Sequence, residues 1–257
     1  MPRRPPSPPS PRPSPLPGVT LSEHDGVRHL HLDSPWIQGS MAVADPNGLH
    51  LEYVQRMMVW LLFTGLEGLS QRHAMQLGLG AAAITKFCLR RLRMTTTAVE
   101  LNPQVIAACR TWFRLPPDDA RLTVLQADAA DVVADPARAG SVDVLCVDLY
   151  DRDAAAPVLD DAAFYAGCRR LLADGGVMTV NLFGRHASFE ASAERVVAAF
   201  GRDQVWSLRP TREGNTVLVG AAGVTVPDRD TLTARAAAIE RRCGLPARKW
   251  LRMVRPV

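Results

Sequence analysis

Residues 75–87 read MQLGLGAAAITKF. An apolar run enters Gly78-Leu79-Gly80, and a helical pattern begins at once behind it. Glycine at such a place lets the chain leave a strand sharply and bring its backbone close to a ligand. The pattern is that of a nucleotide-binding strand, turn and helix. Three alanines, Ala81, Ala82 and Ala83, stand where loops of this kind often carry more glycine or a polar residue.

Outward from this loop the chain alternates. Strand patterns fall at 74–77, 97–100, 122–126, 142–148 and 177–181, with helical patterns between most of them. One helix is announced by Asn102-Pro103, an N-cap asparagine before a proline at the first helical position. Another spans about 161–172. Regular β-α alternation implies a doubly wound parallel sheet with helices on both faces. The end differs, because strand patterns at 205–208 and 216–219 enclose only RPTREGN. That predicts a closing antiparallel hairpin. A last helix is expected over 230–243, followed by a basic tail. Before the loop, VRHLHLD alternates as a half-buried strand does, and residues 49–66 carry a helical apolar face. The expected fold is therefore α/β, a Rossmann-like sheet of the class I methyltransferase type. The expected division is a disordered tail over 1–18, a β-element and helix over 19–66, the nucleoside-binding domain over 67–223, and a helix with basic tail over 224–257.

Composition excludes several functions. The chain has 257 residues and a net charge of +4. Its ends carry the excess: Arg3, Arg4 and Arg12 near the start, and six bases without an acid from Arg241 onward. The stretch between them is net acidic. No basic folded face interleaved with aromatics is visible, which argues against nucleic acid. The run MMVWLLFTGL is too short to span a bilayer, which takes roughly 20 residues. The proline-rich start lacks the apolar core of a secretory signal. Five scattered cysteines without a C-x-x-C motif suit a reducing, cytoplasmic setting. No metal-ligand spacing appears, so no metal is expected.

Two ligand classes fit the glycine loop. Gly78, Gly80 and Ala83 match the dinucleotide fingerprint, and Glu100 follows where a ribose-binding acid belongs. A sulfonium nucleoside, S-adenosylmethionine or its decarboxylated relative, uses the same turn and acid. The closing hairpin, the glycine-rich LLADGGVMTV and Asp128 past the third strand favour this second class. Asp128 would then accept from the adenine amino group.

The segments LDSPWIQGSM, LEYVQRMM, GLGAAAITKF, AVELNPQVI and QADA follow one another in order, and then VDVLCVDLYDRDAAAPVLDDAAFYAGCRRLLADGG. In this order they resemble the polyamine aminopropyltransferases, the spermidine synthase family, from about residue 19 to 221. The resemblance implies a transferase that moves an aminopropyl group from decarboxylated S-adenosylmethionine to a small amine such as putrescine. It implies no tightly bound cofactor, and a homodimer. Gln38, Gly78, Gly80, Glu100, Asp128 and Ala129 would hold the nucleoside, and Tyr53 would face the amine. Asp148 and Asp151 stand at the family's D-x-x-D. Two carboxylates suit this chemistry, because an alkyl ammonium must be held and must lose a proton before it attacks.

The chain departs from that pattern in three places. Ala81 replaces an aspartate that contacts the donor's amino group. Tyr53-Val54-Gln55 lacks the family's acid. Arg212 and Glu213 replace a tyrosine loop, and a cation there would disfavour a second ammonium. An S-adenosylmethionine-dependent methyltransferase and a non-catalytic nucleoside-binding protein are the alternatives.

Overall fold

The computed structural model describes residues 16–150, 159–183 and 186–257. A three-stranded antiparallel sheet comes first, formed by β1 (Val19–His24), β2 (Val27–Leu32) and β3 (Gly39–Ala42). The helical stretch after it is α1 (Glu52–Arg56) and α2 (Trp60–Thr64), joined by a 3-10 turn. Then come β4 (His73–Leu77), α3 (Ala83–Lys86), β5 (Thr95–Glu100), α4 (Pro103–Trp112), β6 (Leu122–Gln126), α5 (Ala129–Ala134) and β7 (Val142–Val147). The rest is α6 (Ala162–Leu171), β8 (Leu172–Phe183), α7 (His186–Phe200), β9 (Val205–Ser207), β10 (Asn215–Ala221), α8 (Arg229–Cys243), α9 (Ala247–Met253) and β11 (Arg255–Pro256).

The main sheet has eight strands in the order β11-β9-β10-β8-β7-β4-β5-β6. Strands β8, β7, β4, β5 and β6 are parallel to one another, and β10, β9 and β11 extend the sheet antiparallel. The expected fold class and closing hairpin are both present. Both faces of the sheet are buried, as the near-continuous apolar strands require. In β4, Ala74 packs into one core and Met75 and Leu77 into the other. In β7, Val144 and Cys146 go one way and Leu145 and Val147 the other. β4 has β5 on one side and β7 on the other, so the strand order reverses there. A crevice at the carboxyl ends of the strands beside such a switch is where ligands bind in sheets of this kind.

The glycine loop follows directly from β4. Gly78 has φ +85° and Gly80 φ +51°. A Cβ on Gly78 would overlap the carbonyl oxygen of Asp148, so glycine is demanded by contact as well as by φ. Buried Gln76 braces the turn from below. Its Oε1 accepts from Thr85 N at 3.0 Å, and its Nε2 donates to Gly78 O at 2.7 Å. Ala82 is a buried non-glycine residue at φ +57°. The Asn102 cap is present, with Oδ1 accepting from Gln104 N at 2.9 Å.

Two expectations about the ends are corrected. The basic stretch after α8 is folded: Leu245, Ala247 and Trp250 are buried in the core that α2 also enters, and β11 pairs with β9. The apolar residues 247, 250, 251 and 254 recur at helical spacing and pack inward, while the six bases stay exposed and hydrated on the other side. At the start, Leu16, Pro17 and Gly18 are docked rather than part of a disordered tail. Gly18 N donates to Asp33 Oδ2 at 2.7 Å, and Pro17 O accepts from Asn102 Nδ2 at 2.8 Å. β8 is also longer than the expected 177–181, because its partner β10 extends the pairing to Phe183. Among the described residues no helix is long and apolar enough to cross a membrane.

Candidate active site

A cavity of about 1150 Å³ lies over the carboxyl ends of the parallel strands. The described residues expected to hold the nucleoside, face the amine or take its proton line it: Gln38, Tyr53, Gly78, Gly80, Glu100, Asp128, Ala129 and Asp148. Asp151 lies outside the described residues.

At one end stand the groups expected to hold a nucleoside. Glu100 closes β5. Its Oε2 accepts from Leu79 N at 3.0 Å and its Oε1 from Asn102 N at 2.9 Å. Burial raises its pKa, and these backbone N–H groups oppose the rise. Each oxygen has a further lone pair for a ligand hydroxyl. Asp128 caps α5, with Oδ1 accepting from Ala130 N at 2.8 Å, and Ala129 is the first residue of that helix. Gln38 precedes β3, and its carbonyl oxygen lies 3.0 Å from where a Cβ on Gly80 would be. A side chain at Gly80 would therefore press on the β2–β3 turn.

At the other end Asp148 follows β7, held by a backbone bond from its N to Leu77 O at 2.9 Å. Its two carboxylate oxygens have separate donors. Tyr53 Oη donates to Oδ2 at 3.2 Å, and Asn181 Nδ2 donates to Oδ1 at 2.9 Å. Burial pushes this carboxyl up to about 6, against the pull of those two hydrogen bonds. Tyr53 is pushed up by its own burial and then by the charge of Asp148, so it stays a neutral donor. A carboxylate with a pKa near 6 accepts a proton more readily than an exposed one, yet remains ionised at neutral pH.

Sequence reasoning missed several residues of this end. Asn181 sits near the end of β8, and the strand-end rule that finds Glu100 and Asp148 finds it too. Asn215 on β10, Tyr150 and Glu52 also line the cavity, and Leu16 and Pro17 line it at the nucleoside end, where Pro17 O accepts from Asn102 Nδ2. Two local expectations change. Glu52, one residue before Tyr53, supplies an acid on α1, paired with Arg56 at 2.6 Å. In the β9–β10 loop it is Glu213, not Arg212, that lines the cavity. The loop thus turns an acid toward the ligand, which favours a cation where the sequence suggested repulsion. Ala81, the site of the missing aspartate, is buried, and a Cβ on Gly39 would collide with it.

Sheet order, closing hairpin and strand-end cavity define the fold: an α/β sheet of the class I methyltransferase type. A family model described as a methyltransferase domain matches residues 75–180. The chain is also similar to the polyamine aminopropyltransferase of Chromobacterium violaceum, with 32% identity over 232 residues, covering 90% of this chain and 86% of that protein. The chain belongs to the polyamine aminopropyltransferase family. Among solved structures, a probable spermidine synthase from Corynebacterium glutamicum superposes with TM-score 0.69 at 20% identity, covering 91% of this chain and 90% of that one. Human methyltransferase-like protein 13, solved in complex with SAH, gives TM-score 0.66 at 22% identity, covering 76% and 93%. At these identities the two structures speak for the fold alone.

Proposed function

We propose that this protein transfers an aminopropyl group from decarboxylated S-adenosylmethionine to a small amine such as putrescine. Family membership supports the reaction class. The observation that carries the mechanism is the Asp148 carboxylate, held by Tyr53 and Asn181 at the cavity end of β7.

The acceptor enters as an ammonium, and Asp148, with Asp151 as anchor, binds it. Asp148 takes its proton, and the nitrogen lone pair attacks the methylene carbon next to the sulfonium. The carbon–sulfur bond breaks, its electron pair stays on sulfur, and neutral methylthioadenosine leaves. The donor brings a good leaving group, so the protein's part is to place and deprotonate the amine. Glu100 accepts from the ribose hydroxyls, Asp128 from the adenine amino group, and Gln38, Gly78, Gly80 and Ala129 shape the nucleoside wall. Tyr53 lies against the amine. The free cysteines, four of the five buried, support a reducing cytoplasmic location.

One observation favours a second reading, methyl transfer from S-adenosylmethionine. Ala81 removes the loop carboxylate that would bind the donor's ammonium. Incubation with each donor and a panel of amines separates the readings by product. Methylthioadenosine marks aminopropyl transfer, and S-adenosylhomocysteine marks methyl transfer.

A further inference from the structure

Asn181 is buried at the cavity end of β8 and has two partners. Its Nδ2 donates to Asp148 Oδ1 at 2.9 Å, and its Oδ1 accepts from Asn215 Nδ2 at 3.2 Å. The chemistry fixes this direction. An ionised carboxylate can only accept, so the amide must turn its NH₂ toward Asp148. Its oxygen then faces β10, where only a donor satisfies it, and Asn215 supplies one. The backbone of Asn181 is gripped as well, since its carbonyl accepts from Tyr150 Oη at 2.8 Å. Asn215 is placed by closure of the β9–β10 loop. Thr211 N donates to Asn215 O at 2.8 Å, and Asn215 N donates to Thr211 Oγ1 at 3.2 Å.

We propose that Asn215 and Asn181 form a two-amide relay that orients the Asp148 carboxylate and stabilises its charged form. Both are positioning residues for proton transfer, and the β9–β10 loop thereby sets the basicity of an acid on β7. Among the described residues, the titratable groups facing Asp148 are Tyr53 from α1, Tyr150 from the segment after β7, and Cys146 on β7 itself. Burial raises all three, so each is neutral at physiological pH. The side-chain donors to Asp148 among the described residues, Tyr53 and Asn181, are both neutral, and the loss of one falls directly on the carboxyl.

The inference rests on Asp148 as the proton acceptor, but its test needs no substrate. The Asp148 carboxyl is titrated by carbon-13 NMR in the wild type, Asn181→Leu, Asn215→Leu and the double variant. The wild-type midpoint is expected near 6. Asn181→Leu should raise it by at least about one unit, a tenfold gain in proton affinity. Asn215→Leu should raise it by less, and the double variant should match Asn181→Leu, because Asn215 acts only through Asn181. The acid limb of the kcat/KM profile should follow the same order, with methylthioadenosine affinity held within about twofold. An Asn215→Leu midpoint equal to the wild type would overturn the relay, as would a double variant shifted beyond Asn181→Leu. If Asn181→Leu does not fold, Asn215→Leu decides alone. A midpoint that moves in an enzyme that alkylates no amine keeps the relay and removes the aminopropyl reading.

Discussion

Replacing Asp148 by asparagine keeps the shape of the site and removes its base. Tyr53 still has an amide oxygen to donate to, while the new NH₂ faces the Asn181 amide, which must turn its oxygen toward it. What is lost is the group that takes the acceptor's proton. Removing a general base costs typically about 10²–10⁴-fold in rate, and that is the loss expected at pH 7. The pH dependence is the sharper signature. An alkyl ammonium with a pKa near 10.4 is neutral in only about one molecule in 2500 at pH 7, but in about 4% of molecules at pH 9. The variant must rely on that neutral fraction, so its turnover should climb about tenfold per pH unit, roughly 100-fold between pH 7 and 9. The wild type should be nearly flat there, because burial places its carboxyl at about 6 and it is already ionised. Its own activity should fall as the pH drops through 6 and Asp148 becomes protonated. Initial rates of methylthioadenosine release, measured from pH 5 to 9 for both proteins, give the comparison. A variant within tenfold of wild type at pH 7, or one with the wild-type profile, would refute the assignment of Asp148 as proton acceptor.

Gly78→Ala should destabilise the fold as well as the activity. It puts a side chain at φ +85° and into the Asp148 carbonyl, and the backbone strain alone costs about 1–3 kcal/mol; urea unfolding reads the loss. Glu100→Ala should weaken methylthioadenosine binding by about 1.5–3 kcal/mol in calorimetry, the range for a hydrogen bond to a charged group. Unchanged affinity would remove Glu100 from the nucleoside site. Deleting residues 1–15 should leave nucleoside affinity unchanged. Deleting through Gly18 should weaken it several-fold, because Leu16 and Pro17 line the cavity.

The parts of the structure legible in the sequence are those governed by local rules. Alternation of strands and helices, the glycines after β4, the Asn102-Pro103 cap and the acids ending β5 and β7 all have local signatures. The wall facing those acids does not. Asn215 reaches Asn181 only because β10 pairs antiparallel with β8, which no local pattern of either residue encodes. Whether Arg212 or Glu213 faces the ligand is likewise set by the turn, where Gly214 takes φ +100°. The folded C-terminus was obscured by its own charge. Six bases suggested a hydrated tail, while Ala247, Trp250, Leu251 and Val254 carried the helical spacing. Ala81 was readable as a lost carboxylate, but not as a residue wedged beneath Gly39.

The central claim is that this cavity carries out aminopropyl transfer. Its most direct test is mass spectrometry of the purified full-length protein incubated with putrescine and decarboxylated S-adenosylmethionine, and in parallel with S-adenosylmethionine. Methylthioadenosine and aminopropylated putrescine should accumulate in equal amounts with the decarboxylated donor, and Asp148→Asn should suppress both together. S-adenosylhomocysteine with a methylated amine, formed only from the other donor, would contradict the claim and make the protein a methyltransferase.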